Sequence, residues 1–503
     1  MKASFNLLTE RWIPCITEQG KYEEYSIRDV LHKARQIREV HSQSPLVTIS
    51  IYRLLLAILH RVLGPPSEEA WGEIYESGEW DLDAIDSYLD QWEDRFDLFS
   101  EEYPFYQVRD FPKKKETSIS KITLEFASGN SDTLFDHNYS SNDLYLTSSQ
   151  AACYLLSSQI SGLTGNSASI YREFGIIFVG MLIILHGDSF WEILTKNLVP
   201  YNGKDRPFEI NPEDSPIWEN DNNNFTFNKK PPQKYSIGYL EYLTYQHRYI
   251  QLFPESSQGD TIVKKVGVAQ GLKMPENWLY DQFKIFNFPD KGKPSALKMS
   301  KNKALWRDYD ALLGNKGGYK LPEVIRKFRE MVLENDIEKT NSDDLEVFGI
   351  SNYQANVFMW RHERLPLPFA LLDNKTALGN LSICLSDAEN IAKSLNTTIY
   401  ILNSELGANR KDDHPPIDKN SIEQAYWNYL EPKFFEILDI LPADGEKAKE
   451  IWLKNTEEAA KKAFEEGVKS LRFTARALKA ITLARKKLNI ELWKLHKEED
   501  GIE

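Results

Sequence analysis

Apolar residues along this chain fall into runs whose spacing separates helices, buried strands and loops. The clearest period lies near the end, where Leu471, Leu478, Ile481, Leu488, Leu492 and Leu495 recur at helical spacing and predict one apolar stripe that packs inward. It is the last of four helix-like stretches, about Asp387 to Leu402, Ser421 to Leu441, Glu446 to Glu466 and Val468 to Lys497, with breaks at Asn409 to Pro416, Pro442 to Gly445 and Gly467. Four consecutive amphipathic stretches with short breaks predict a helical bundle. Near the start, FNLLTERWIPC and IRDVL read as a strand pair leading into a helix, and Ser44-Pro45 cap and open an apolar run to Val62 that reads as a central buried helix. A mixed-charge helical stretch is expected around Tyr88 to Phe99, and a short buried helix at Phe174 to Leu185. Polar tracts from Arg109 to Asp143 and from Asn202 to Gln233 have loop composition, and the first is a candidate binding loop. The fold class is α+β: a mixed α/β N-terminal globular domain over residues 1–372 and a C-terminal four-helix bundle over 380–503.

Composition narrows the function. With 503 residues, 41% hydrophobic and 12% aromatic, the chain builds packed domains rather than a disordered segment. Cys15, Cys153 and Cys384 are far apart and form no CxxC pair, so no disulfide framework or cysteine metal cluster is expected, and a reducing cytoplasm is the default location. Phe174 to Leu185 is shorter than the roughly 20 residues that span a bilayer, so no membrane is expected. A net charge of -14 confines any nucleic-acid contact to a local patch, because phosphate binding is built from Lys and Arg. One such patch is visible: Lys469, Arg472, Arg476, Lys479 and Lys486 share a helical face, with no carboxylate from Lys469 to Asn489. It fits a phosphate-tracking stripe and equally a solvated helix face.

Catalytic motifs are missing. The chain has no GxxxxGK[ST] loop, no GxGxxG after a strand, no HExxH and no GxSxG, so common nucleotide, zinc-protease and hydrolase chemistries lack their residues. His60 reads as a core or capping histidine. Arg361-His362-Glu363-Arg364 imitates a nuclease fragment, but no second acidic and histidine group is expected nearby to complete a metal site. No enzyme activity, cofactor or metal is expected.

Several ordered segments resemble the CasA family, the large subunit of type I-E CRISPR Cascade: FNLLTERWIPC, SPLVTISIYRLLLAILHR, YLDQWEDRFDLF before YPFYQV, TLFDHN, SGLTGNSA, ALWRDYDALL and FGISNYQANVFMWRHERLPLP. Together they span most of the chain. The resemblance implies a non-catalytic subunit that reads the protospacer-adjacent motif (PAM) of double-stranded target DNA from the minor groove. It also implies that the subunit starts strand separation for guide-RNA pairing and recruits a helicase-nuclease for antiviral defence. Partners would be the other Cascade subunits, the guide RNA and the target DNA. Carried over residue by residue, Gly162 and Gly165 resemble a glycine loop approaching the PAM, although two glycines also fit a helix cap or turn. Gln354, with Asn352 beside it, resembles a wedge on a hairpin tip. Lys291 and Lys293 flank Gly292 where the family has a basic finger, whose usual residue is replaced here by Asn287 or Phe288. Phe135, Asp136 and His137 resemble a loop that anchors the guide RNA. Minor-groove readout separates mainly A·T from G·C, so tolerant PAM selection is expected. A metal-dependent nuclease and a scaffold without DNA readout are the competing readings.

Overall fold

The computed structural model describes residues 3–123, 144–162, 175–200, 211–220, 236, 238–272, 281–335, 344–353, 356–408, 415–472 and 474–499. The chain divides into two compact units, one of residues 1–303 and 318–367, the other of 304–317 and 368–503.

The first unit is mixed α/β. Strands β1 (Ile13–Thr17), β2 (Tyr22–Tyr25) and β3 (Ile37–Val40) form a small antiparallel sheet in the order β2-β1-β3. Helix α1 (Pro45–Val62) follows, as its Ser-Pro start and apolar run predict. It is apolar and long enough to cross a membrane, yet 83% of it is buried inside the protein. Its interior charge is matched: Arg53, 3% exposed, lies 3.7 Å from Asp281, which also accepts from the Tyr242 hydroxyl at 2.5 Å. An unpaired charge there would cost several kcal/mol. Helix α2 (Ser148–Ser161) opens with a Thr147–Gln150 capping box and packs on α1.

Two expectations are corrected in this unit. Phe174 to Leu185 is not a single helix; Ile176–Val179 forms one turn, the chain breaks at Gly180, and β4 (Leu182–Leu185) is a fully buried strand. A continuous apolar run suits a buried strand as well as a buried helix, and β-branched Ile183 and Ile184 favour the strand. The charged helix expected at Tyr88 to Phe99 runs instead from Leu82 to Gln91, because the Asp81 side chain caps it by accepting from the Ala84 amide.

Strands β5 (Arg248–Ser257) and β6 (Asp260–Gln270) form a long antiparallel ribbon, with the short strands Thr117–Ser118 and Leu146–Thr147 on the far side of β6. Strands β7 (Asp344–Tyr353) and β8 (Asn356–Pro366) form a second ribbon, and β4 pairs with β7 to give the order β8-β7-β4. Packing of α1 involves both β7 and β8.

The second unit is helical. Helices α3 (Lys375–Glu405), α4 (Lys419–Ile440), α5 (Gly445–Val468) and α6 (Ala475–Glu499) match the four predicted stretches in order, but α3 begins well before Asp387 and α6 begins after Val468. Helix α3 packs against each of the other three. It starts at Lys375 because Asn374 caps it by accepting from the Ala377 amide. Helix α5 ends at Val468, one residue past the predicted break at Gly467, where a Cβ would meet Ile422 Cδ1 at 2.2 Å, so this glycine also permits close helix contact. Residues 304–317 complete the core. The Trp306 ring lies 5.8 Å from Trp427, 4.9 Å from Phe434 and 6.1 Å from Trp452, while Arg307 donates to Glu389 at 2.7 and 2.9 Å.

Two imidazoles in the first unit lie where a proton is unwelcome. Burial holds His60 and His247 down to about 3, helped at His247 by the nearby Arg248, Arg53 and Lys284 charges. The unfolded chain takes up protons at these groups near pH 6.5 and the folded chain resists until about pH 3, so stability must fall as pH drops through that window. Each imidazole contributes up to about 1.4 kcal/mol per pH unit there. Urea unfolding of this protein at pH 7 and pH 5 is expected to show that loss, and His60→Gln is expected to reduce the slope by about one proton; an unchanged slope would show that His60 titrates normally.

Candidate nucleic-acid interface

The end of α2 shows what Gly162 is for. It caps the helix at a φ of +24°, a conformation that L side chains rarely adopt. Its carbonyl accepts from the Arg248 guanidinium, and a Cβ on Gly162 would lie 2.9 Å from that guanidinium. Arg248 is itself locked to α2: its amide donates to Gln159 Oε1 at 2.9 Å, and Gln159 Nε2 donates to its carbonyl at 3.0 Å. The chain re-enters at Gly175, where a Cβ would meet the Ile160 carbonyl oxygen at 2.2 Å. Both ends of segment 163–174 are thus rooted at the end of α2, and neither root has room for a side chain. Gly162 is buried, so its bare backbone accommodates Arg248, and the helix-cap reading describes it. Gly165 lies outside the described residues.

The β7–β8 ribbon carries the second set. Pairing runs from Asp344↔Pro366 to Tyr353↔Asn356, which leaves only Gln354 and Ala355 between the strands. Strand β4 supports β7 only from Leu345 to Phe348. Further out the hairpin has two strands, with a register shift between Ser351 and Asn352 that increases local twist. Backbone pairing sets Asn352 opposite Val357; its side chain and Gln354 lie outside the described residues. So do Phe135, Asp136 and His137.

Lys291 and Lys293 are exposed in the connection between the two-residue strands Phe286–Asn287 and Ser295–Ala296. Gly292 between them has a φ of +114°. Asn287 pairs within this small sheet, and the Phe288 ring lies under Lys320 Nζ at 4.5 Å.

In the second unit, α6 is turned from its predicted orientation. Ile481, Leu488 and Leu492 are buried as expected, but Leu478 is 52% exposed, and Ala477, Ala480 and Ala484 are buried instead. At about 100° per residue the buried face is rotated by roughly 50°, because small alanines let α6 approach α3 closely. The outward face carries Lys479, Leu483, Lys486, Ile490 and Trp493, the last 57% exposed. Among the described residues Lys469, Arg472, Lys479 and Lys486 are exposed without an ion pair. Arg476 differs: its Nε donates to the Glu405 carbonyl at 2.8 Å and closes the end of α3. Arg485 is neutralised by Glu465 at 2.6 and 2.8 Å. Trp493 was missed in the sequence, although it stands seven residues after Lys486 on the same face.

A polar cluster at the base of the β7–β8 ribbon was also missed. Glu346 on β7 bonds His186 Nδ1, just past β4, and lies 3.4 Å from His362 Nε2 on β8. Phe348 stacks on the His362 ring at 4.4 Å. Burial would raise the Glu346 carboxyl, but the hydrogen bond to His186 and the nearby His362 ring outweigh it and hold it down at about 2. These partners lie 160 and 16 residues from Glu346 in the chain, which hid them from motif reading.

Residues 6–463 match the family described as CRISPR-associated protein Cse1. A CRISPR-associated protein CasA/Cse1 from Thermus thermophilus is 30% identical over 502 residues, covering 95% of both chains. The chain belongs to the CasA/Cse1 family. The solved structure of Thermus thermophilus CasA superposes with a TM-score of 0.80 at 25% identity, covering 98% of this chain and 100% of that one. A chain of a CRISPR RNA-guided surveillance complex shares the fold, with a TM-score of 0.75 at 20% identity, covering 96% of this chain and 99% of that one. Membership makes this a large subunit of type I-E Cascade that is not an enzyme. CasA/Cse1 membership covers both units, since the matched residues extend well into α5.

Gly162→Ala forces a side chain onto a positive φ and against Arg248. It is expected to lower the unfolding free energy by about 1–3 kcal/mol and to speed amide exchange in the last turn of α2. An unchanged denaturation midpoint would show that Arg248 moves aside freely.

Proposed function

We propose that this CasA/Cse1 protein reads the PAM of double-stranded target DNA and begins strand separation for the guide RNA of its Cascade complex. The single observation that carries the reading is the β7–β8 ribbon, which outruns its third strand and brings Gln354 and Ala355 to the junction of its two strands in a family member. An inserted side chain supports local unstacking, which costs a few kcal/mol, while guide pairing replaces the separated duplex at nearly balanced energy. The 163–174 segment, with Gly165, serves as the minor-groove reader, and its glycine-rooted ends on α2 support that role. Lys291 and Lys293 lie on an exposed turn suited to a basic finger, and Phe135, Asp136 and His137 anchor the guide RNA.

The four C-terminal helices act as a bundle whose α6 face holds displaced strand. Lys479 and Lys486 meet phosphates there, and Trp493 offers a stacking surface for a base. After R-loop formation the subunit recruits the helicase-nuclease. The nearest candidate for a metal-dependent nuclease, the Glu346 cluster, is closed to a phosphodiester, since Glu346 and His186 are 2% and 3% exposed.

In the assembled complex, Gln354→Ala is expected to weaken binding of a duplex target about tenfold, roughly 1.4 kcal/mol, and a target with a pre-opened bubble beside the PAM is expected to recover most of the loss. Equal loss on both targets would reject the wedge. Lys479→Ala with Lys486→Ala is expected to reduce the salt dependence of single-strand binding by about 0.7 per phosphate contact removed; an unaltered slope would remove the α6 face from the DNA path.

A further inference from the structure

The cluster at the base of the β7–β8 ribbon combines donors from four places: Glu39 on β3, His186 after β4, Glu346 on β7 and His362 on β8. One ligand atom from each of Glu39, His186 and Glu346 lies within 4.8 Å of the others. Donors around a zinc-sized ion at about 2.0–2.2 Å are spaced roughly 3.4 Å apart, so small side-chain adjustments would seat one. Glu346 points to a missing partner: it is 2% exposed, and its Oε2 is buried without a hydrogen bond of good geometry, 3.4 Å from His362 Nε2. Charge gives the same answer. Two carboxylates are held together here, and Arg364 on the neighbouring strand is paired with Asp344 at 2.6 Å. A dication balances the pair.

We propose that Glu39, Glu346 and His186, with His362 beside them, form a structural site for a divalent cation of the zinc class. Imidazole nitrogen beside carboxylate oxygen selects that class over Mg2+, which prefers an all-oxygen octahedron. An entry path exists on the side of Glu39 and His362, whose side chains are 21% and 38% exposed. Phe348 stacks on His362, and the His186 amide donates to the Asp344 carbonyl at 2.8 Å, which fixes its backbone. The ion would tie β3 of the small sheet to both strands of the ribbon at its base, and this does not depend on what the far end of the ribbon touches.

The test uses the full chain, stripped with EDTA, desalted and titrated with Zn2+ alone by calorimetry and thermal melting. One Zn2+ per chain is expected, with a melting temperature raised by several degrees at a hundredfold excess over Kd. Glu39→Gln lies at the partly exposed mouth and should melt like the wild type without metal while binding Zn2+ at least tenfold more weakly; His362→Ala should weaken binding in the same way. No Zn2+-dependent shift in the wild-type protein would overturn the proposal and leave a proton-bridged histidine–carboxylate pair. Wild-type Zn2+ binding by both variants would also overturn it, by placing the ion at another site such as the exposed His32–Asp86 pair.

Discussion

The structure of the first unit depends on an asymmetry in one ribbon. Strand β7 must be paired on both sides where it is buried, and β4 supplies that pairing over only four residues, Leu345 to Phe348. Beyond them the hairpin keeps a single partner, and an isolated pair of strands is marginal by itself. Other contacts take over the support. A Cβ on Gly349 would meet Met299 Sδ at 2.7 Å, and Arg361 Nη1 donates to the Lys303 carbonyl at 3.1 Å. The long hairpin is thereby held at its root and along one flank.

A second principle runs through the protein: several arginines, buried or exposed, serve backbone and carboxylate acceptors, while a few exposed lysines keep their charge available. Arg248 closes the root of the glycine segment, Arg53 is matched by Asp281 within the core, and Arg476 closes the end of α3. Net charge therefore says little about where cations act. In a chain with a formal charge of -14, Lys479 and Lys486 form a local positive face because their own helix offers no nearby carboxylate and no neighbouring helix supplies one among the described residues. Arg485, one residue before Lys486, is cancelled by Glu465 of α5.

Much of the architecture was legible. Helix α1 begins at its Ser-Pro signal, the first strand pair and helix lie where their apolar clusters put them, and the four C-terminal helices follow the predicted order, with α3 starting earlier and α6 later than predicted. Local signals failed where two structures bury the same residues equally well. A run such as Met181 to Leu185 satisfies a buried strand as fully as a helix. Leucine spacing misaligned α6 because alanine, weak in any hydrophobic count, sets how closely two helices approach. Gly467, one residue before the helix end, also makes room for a contact that no local pattern shows.

By itself the sequence determined the family, the order of elements and which helices are amphipathic, because these follow from propensity, period and motif order within short windows. Only the tertiary structure decided that Trp306 and Arg307 belong among helices more than 60 residues further along the chain, that Gly162 makes room for Arg248, and that Glu39, His186, Glu346 and His362 converge. Those outcomes require distant segments to share one small volume. Charge pairing and close packing act through space, and a linear pattern carries no record of which remote side chain will arrive there.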